Sequence, residues 1–189
     1  MVMQKAIIKS LEESANTKNA LTEFSDVIEL AAKLVIKTYH NKGKVLLLGN
    51  GGSAADAQHI AAEFVVRFAK SRLSLPAIAL SCNSSIITAC SNDTEFNEVF
   101  RKQIESLAQH GDCIIAITTS GTSLNIINAV KEAKKKRCSV ISLIGKKHSP
   151  LCSLSDVCIA VPSSSTPRIQ EAHITIGHII CQLVEETLF

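Results

Sequence analysis

The sequence predicts an α/β fold in which a parallel sheet lies between two layers of helices, a three-layer αβα sandwich. Short apolar runs, of which 45–48 is the first, recur along the chain, and segments with helical periodicity separate them. Polar turns follow two of these runs directly, at 49–53 and 118–123. Apolar strands that alternate with helices are typical of parallel sheets covered on both faces. Ligands of such sheets bind beyond the carboxyl ends of the strands, so both turns can face one crevice.

The elements follow in a regular order. Helical spacing predicts a helix over 3–20 and a second that begins at Ser25 or Asp26 and ends before Gly43. Apolar runs then predict five strands, at 45–48, 75–80, 113–117, 139–144 and 157–161. The segments between and after these strands predict five further helices: one after Ser53, one that begins at Ser84, and three over 97–109, 124–137 and 167–188. The pair Asn92-Asp93 is predicted to form a turn. Without a linker or repeat, we expect one domain over 1–189, in which about 1–42 form a helical extension and a long helix ends the chain.

Composition narrows the possible functions. The chain has 189 residues, 46% hydrophobic and 20% charged, as an ordinary soluble globular protein does. A net charge of +3, no Trp and one Tyr argue against nucleic acid as a partner. The first residues carry mixed charge, unlike a signal peptide, and no apolar stretch reaches membrane-spanning length. Seven scattered cysteines without a C-x-x-C pair indicate reduced thiols. We therefore expect a cytoplasmic protein without a membrane partner.

The turn at 49–53 predicts an anion site. Three of its first four residues are glycine, which adopts backbone angles closed to other residues. Ser53 is expected to cap the helix that follows. A strand, a glycine turn and a helix N-terminus leave backbone N–H groups directed at one point, as a phosphate requires. The pattern Gly49, Gly51, Ala54 also fits a dinucleotide fingerprint, but no carboxylate ends the second strand to hold a ribose, which disfavours that alternative.

The helix after this turn carries a polar stripe of Asp56, His59, Glu63 and Arg67. Residues four apart are neighbours on a helix, so the imidazole of His59 and the carboxylate of Glu63 can converge on one proton or one metal ion. The alternative is a solvated face with a Glu63–Arg67 ion pair, which would contribute little. The glycine turn directly upstream favours the site.

Two further segments carry polar groups in unusual density. The turn TTSGTS at 118–123 combines hydroxyls with a helix start and suits a phosphomonoester, although Ser and Thr also cap helices without any ligand. The last helix is apolar nearly all round and still carries Gln170, Glu171, His173 and His178. Such a helix must be covered on several sides, which suggests an interface between subunits. Buried polar groups are costly, so these four indicate a shared site.

Together, GNGGSAADAQHIAAE, Asn92-Asp93, TTSGTS and RIQEAHITIGH resemble the phosphoheptose isomerases of the SIS (sugar isomerase) family, over essentially the whole chain and in the family's order. The resemblance implies conversion of sedoheptulose 7-phosphate to glycero-manno-heptose 7-phosphate, for bacterial activated heptose. It also implies a flavodoxin-like fold, a cytoplasmic homotetramer and one Zn²⁺ per subunit.

The same resemblance assigns roles to residues. The acid/base pair corresponds to Glu63 and His178. The metal ligands correspond to His59, Glu63, Gln170 and His178. The substrate-binding positions correspond to Asn50, Gly51, Gly52, Ser53, Glu63, Asn92, Asp93, Thr118, Thr119, Ser120, Ser123 and Gln170.

These roles fit the chemistry but raise a question of geometry. Aldose–ketose isomerisation moves a proton between two carbons through an enediol, which requires a carboxylate base and a second proton-transferring group. Gln170 and His178 lie roughly 12 Å apart along a regular helix, too far to reach one ion at about 2.1 Å from each. We therefore expect a neighbouring subunit, or a local distortion of the helix, to complete the site.

Two other functions remain open. A non-catalytic SIS adaptor, similar to the replication-initiator-associating protein of this family, would lack the Glu and the terminal-helix His, and both are present here as Glu63 and His178. An isomerase of another phosphosugar would carry the same motifs, because they do not distinguish heptose from hexose.

Overall fold

Five strands and eight α-helices alternate in the computed structural model, which describes residues 2–145 and 149–189. The strands are β1 (Val45–Gly49), β2 (Ala77–Ala79), β3 (Cys113–Thr118), β4 (Ser139–Ile144) and β5 (Val157–Ala160). The helices are α1 (Val2–Ala20), α2 (Ser25–His40), α3 (Gly52–Val65), α4 (Ser84–Asp93), α5 (Val99–Leu107), α6 (Leu124–Lys135), α7 (Pro150–Leu154) and α8 (Thr166–Leu188). Two 3₁₀ turns, Leu21–Phe24 and Phe96–Glu98, precede α2 and α5.

All strand pairs are parallel, in the order β2-β1-β3-β4-β5. Alternate residues of β1 point to opposite faces of the sheet: Val45 and Leu47 belong to the core under α2, α3 and α8, and Leu46 and Leu48 to the core under α5 and α6. The predicted three-layer αβα class is therefore confirmed. No helix within the described ranges is both long enough and apolar enough to cross a membrane.

The structure differs from the prediction at several element ends. The second strand is shorter than predicted, and the short helix α7 was not predicted, because five residues carry too little periodicity. Asn92 and Asp93 form the last turn of α4 rather than a separate turn. The helix α3 ends at Val65, so the prediction that Arg67 lies on its polar stripe is wrong.

The amino-terminal edge of the sheet is closed by a buried ion pair. The Asp112 carboxylate accepts hydrogen bonds from the backbone N–H groups of Lys44 and Gln109, at 2.9 and 2.8 Å, and from Lys44 Nζ at 2.6 Å. Its side chain is 3% exposed. This carboxylate holds the segments before β1 and β3 together, while the carboxyl-terminal edge carries both polar turns.

The helices α3 and α8 lie side by side and run in the same direction. Their contacts keep a constant offset along the chain: Gln170 packs on Gly52, Gly177 on Ile60, and Glu185 on Phe68. Gly177 sets the spacing, because a Cβ there would collide with the side chain of Ile60, which is buried. The missing Cβ thus permits the close approach of the two helices.

We expect Gly177→Ala to destabilise the protein by about 1–3 kcal/mol, the usual cost of an overpacked core. Ile60→Val removes Cδ1, the nearer of the two side-chain atoms that the new Cβ would strike, and by itself costs about 0.5–1.5 kcal/mol. The double variant should therefore lose less stability than the two single variants lose in sum. Urea denaturation of the three variants measures this coupling, and strictly additive losses would show that the helices do not meet at Gly177.

Candidate active site

The first polar turn leads directly from β1 into α3. Gly51 has a φ of 54°, a left-handed conformation that favours glycine. The helix already begins at Gly52, and the backbone N–H of Ser53 donates to Asn50 O at 3.0 Å. The prediction that Ser53 caps the helix is wrong, because this residue lies inside the first turn and is buried. The N-terminus of α3 remains a suitable site for an anion.

The second polar turn is a connected row of hydroxyls. Ser120 Oγ lies 3.4 Å from Thr118 Oγ1 and 3.5 Å from Ser123 Oγ. Ser120 Oγ accepts from the backbone N–H of Thr122 at 3.2 Å. Ser123 is the residue before α6, but its side chain makes no capping hydrogen bond there. Capping of α6 therefore does not account for the row.

A pair of side-chain amides joins the two turns. Asn50 Nδ2 donates to Asn125 Oδ1 at 3.0 Å, and Asn125 Nδ2 donates to Asn50 Oδ1 at 2.9 Å. Asn125 lies in the first turn of α6 and is buried. Sequence reasoning predicted Asn50 as a site residue and missed Asn125, since only the fold brings the two together.

Hydroxyls also line a cavity of about 310 Å³ between the second turn and the segment after β5. Its lining residues are Thr119, Ser120, Ser163, Ser164, Thr166 and Ile169. Three of them belong to the run SSST at 163–166, which sequence reasoning missed. The rule that drew attention to the first two turns applies to this run as well, because it follows the carboxyl end of β5.

The structure brings His59, Glu63 and His178 together within one chain. Their ligand atoms all lie within 4.8 Å of one another. His59 Nε2 is 3.0 Å from Glu63 Oε1 and 3.1 Å from His178 Nε2. The partner of Glu63 is thus His59 and not Arg67. This group can hold a metal ion, because two imidazoles and a carboxylate form a common zinc ligand set.

Other polar side chains lie around this group. Burial raises the pKa of the Asp56 carboxyl, with His59 acting in the opposite direction, and Asp56 Oδ2 is buried without a hydrogen-bond partner among the described residues. Burial also lowers the pKa of His173 to about 4, so this imidazole is neutral at pH 7. Sequence reasoning grouped His173 with His178, but His173 is fully buried beside the backbone of Ile144.

Gln170, the fourth predicted metal ligand, lies apart from this group. The Gln170 amide packs against Gly52, about 10 Å along α3 from His59. Asn92 and Asp93 are exposed at the end of α4, where Asn92 Nδ2 donates to Asp93 Oδ1 at 2.9 Å. Within one chain, Gln170 lies at the glycine turn, and its predicted role as a metal ligand stays a prediction.

Comparison with known proteins identifies the family. A model of the SIS domain matches residues 11–145. A phosphoheptose isomerase from Thermodesulfovibrio yellowstonii is 47% identical over 190 residues, which cover 100% of this chain and 94% of the relative.

The chain belongs to the SIS domain family.

Two solved SIS structures support the same conclusion. The phosphoheptose isomerase GmhA from Neisseria gonorrhoeae superposes with a TM-score of 0.92 at 37% identity, over 97% of this chain and 99% of that one. A phosphoheptose isomerase from Francisella tularensis gives 0.94 at 35% identity, over 98% and 100%. The predicted resemblance to the phosphoheptose isomerases and the SIS fold are therefore confirmed.

A buried ion pair holds the end of α3 against α8 in this SIS domain. Glu185 accepts hydrogen bonds from the backbone N–H groups of Phe68, Ala69 and Lys70, at 3.0, 2.8 and 2.6 Å. It also accepts from Arg72 Nε at 2.8 Å. Burial by itself raises the pKa of Glu185, but these four donors outweigh burial and lower the pKa from 4.5 to about 2. We refer to Glu185, Arg72 and the three N–H groups as the Glu185 hub.

The Glu185 hub predicts a loss of stability in acid. The pKa of Glu185 is about 2 in the folded protein and 4.5 ordinarily. A lowered pKa contributes stability above the ordinary value, and this contribution is lost as the pH falls from 4.5 through about 2. Glu185→Gln should cost about 3–5 kcal/mol at pH 7, since it leaves Arg72 buried and unpaired. Its difference from the wild type should shrink between pH 4.5 and 3.

Urea denaturation at a series of pH values measures this difference. Glu186→Gln is the control, because Glu186 is the next residue of α8 and is exposed. A Glu185→Gln difference that stays constant down to pH 3 would contradict the assignment.

Proposed function

We propose that this SIS domain protein is a phosphoheptose isomerase that converts D-sedoheptulose 7-phosphate to D-glycero-D-manno-heptose 7-phosphate, the first step of bacterial activated-heptose biosynthesis. The observation that carries the proposal is the meeting of Glu63 and His178 with His59 in one group. The similarity to known proteins supports the proposal, because a phosphoheptose isomerase is 47% identical over the whole chain.

The two polar turns suit the phosphate end of such a substrate. A phosphomonoester accepts several hydrogen bonds, and the turns offer hydroxyls of Thr118, Ser120 and Ser123 beside two helix N-termini. The amide pair of Asn50 and Asn125 fixes one turn relative to the other. The proposed substrate-binding residues remain those predicted from the sequence, with Ser163, Ser164 and Thr166 as additional candidates.

Glu63 and His178 are proposed to move the protons. The isomerisation removes a proton from C1 of the ketose, which gives an enediol, and returns a proton to C2 to form the aldose. A carboxylate positioned at these two carbons can take and return it. Glu63 is proposed as this base. His178 is proposed to transfer the proton between the two oxygens, for which an imidazole is suited. His59 is exposed and Glu63 and His178 are half-buried, so a substrate could reach the group from solvent.

The group also fits a zinc ion. Two nitrogens bound at about 2.1 Å to one tetrahedral ion lie about 3.4 Å apart, close to the observed 3.1 Å between the Nε2 atoms of His59 and His178. Glu63 would be the third ligand, and Gln170 of a neighbouring subunit is the proposed fourth. When bound, zinc would polarise the sugar carbonyl and hold its two oxygens in the cis arrangement. Metal analysis after dialysis, with one Zn²⁺ per chain expected, checks this proposal.

A homotetramer is proposed on the basis of surface features, and its cytoplasmic location stays a prediction from the sequence. Helix α1 has no buried residue, and its side chains Met3, Ile7 and Leu11 are exposed. Two apolar grooves of about 410 and 300 Å³ lie between α2 and α8, around Leu183. Neighbouring copies could cover both features, and they could bring Asn92, Asp93 or a further Gln170 to the site. Sedimentation equilibrium would test this by a mass of four chains.

We expect the purified protein to isomerise sedoheptulose 7-phosphate, and Glu63→Gln and His178→Gln each to lower kcat by about 10²–10⁴-fold, the usual contribution of general acid–base catalysis. The appearance of the aldose phosphate, followed by NMR, measures turnover. Glu186→Gln is the matched control, since it makes the same change on the exposed side of α8 and should leave kcat unchanged.

The other outcomes separate the alternatives. Turnover of fructose 6-phosphate but not of the heptulose would indicate an isomerase of another phosphosugar. No turnover of either sugar by the wild type would contradict the proposed enzyme and favour a non-catalytic SIS adaptor. Full activity in Glu63→Gln would contradict the role of Glu63.

A further inference from the structure

The Glu185 hub reaches both of the proposed proton-transferring residues. On one side, Arg72 extends from the carboxylate of Glu185 to the end of α3. Its Nη2 donates to Glu63 O at 2.7 Å, and its Nη1 donates to Phe64 O at 2.9 Å. The last turn of a helix leaves its carbonyls without partners within the helix. Arg72 therefore fixes the backbone of Glu63 itself.

On the other side, the Glu185 hub reaches His178 through Phe68. The backbone N–H of Phe68 donates to Glu185 Oε2 at 3.0 Å. The ring of the same residue lies against the imidazole of His178, with centroids 5.7 Å apart. Glu185 follows His178 by seven residues on α8, which is two turns on the same face of the helix. The Glu185 hub thus restrains His178 in two ways: through α8, which carries both Glu185 and His178, and through the ring of Phe68, which packs against the imidazole.

Stability alone does not require this arrangement. The side chains of Arg72 and Glu185 are 1% and 3% exposed, and apolar residues of similar volume often stabilise a core as well as a buried ion pair does. Apolar residues, however, cannot supply directional hydrogen bonds. The planar guanidinium has donors in a fixed fork, which here connects one carboxylate with three carbonyls, those of Glu63, Phe64 and Leu73. A lysine has a single nitrogen and cannot reach all four acceptors at once.

We propose that Arg72 and Glu185 are positioning residues that set the distance between the Glu63 carboxylate and the His178 imidazole. The proposal rests on the proposed isomerase function, in which these two groups act on one substrate. Arg72 and Glu185 do not touch the polar turns that would bind the phosphate. Changes at the Glu185 hub should therefore affect the chemical step much more than substrate binding.

The test compares Arg72→Lys and Glu185→Gln with a matched control. Asp112→Asn is this control, because Asp112 is also a buried carboxylate that holds two backbone N–H groups and one cation. It lies at the opposite edge of the sheet, so it should lower stability in the same manner without a change at the site. Arg72→Lys keeps the charge and provides a milder variant in case Glu185→Gln does not fold.

We expect kcat to fall by about a hundredfold in both Glu185 hub variants, the effect of a misplacement of about 1 Å. KM should change by less than about threefold, because the variants keep the contacts that bind the substrate and the transition state equally. Asp112→Asn should keep both constants at the wild-type values. A structural role alone would lower the unfolding midpoint of all three variants and leave kcat of the folded protein unchanged.

Zinc affinity, measured by competition with a chelating dye, depends on the distance between the Glu63 carboxylate and the His178 imidazole and is measured without turnover. It should fall about 10–100-fold in the Glu185 hub variants, as for other residues that support metal ligands, and remain unchanged in Asp112→Asn. If Arg72→Lys has the same kcat and zinc affinity as Asp112→Asn, the positioning role is overturned and the isomerase function stands. A wild type without turnover would overturn the function, and zinc affinity would then decide on the positioning role. A wild type with neither property would overturn both.

Discussion

The site depends on the close parallel packing of α3 and α8. Because Gly177 has no side chain, Ile60 approaches the backbone of α8, and the two helices keep one offset over their shared length. This offset places His59 and Glu63 opposite His178, in the middle of the helix pair. At the two ends, Gln170 meets the glycine turn and Glu185 meets the segment after α3. A change in spacing would therefore affect all three places together.

The two edges of the sheet have different roles. At the amino-terminal edge, Asp112 and Lys44 satisfy one another and the surrounding backbone, which stabilises the sheet. At the carboxyl-terminal edge, the hydroxyls of the second turn contact mainly one another, and the amide pair of Asn50 and Asn125 provides the rigidity. Polar groups directed at an open crevice are suited to a polar ligand, and the proposed sugar phosphate has the required charge and hydroxyls.

Much of this organisation could be predicted from the sequence, because it depends on local patterns. The apolar runs predicted all five strands, and the spacing of His59 and Glu63 predicted two of the three members of the polar group. Contacts between distant residues could not be predicted in this way. Arg72 and Glu185 are 113 residues apart and Asn50 and Asn125 are 75 apart, and neither pair belongs to a recognisable motif. The predicted cap at Ser53 failed because the helix begins at Gly52, with Gly51 as its cap, two residues earlier than predicted.

We propose that Glu63 and His178 of the same chain act on one substrate. The test is a mixture of Glu63→Gln and His178→Gln subunits that carry different tags and are isolated as a mixed assembly. With active wild type treated in the same way as reference, we expect that the mixed assembly does not isomerise sedoheptulose 7-phosphate, because every chain lacks one member of its pair. Restored turnover in the mixed assembly would show that the pair forms between chains and would rule out a pair within one chain.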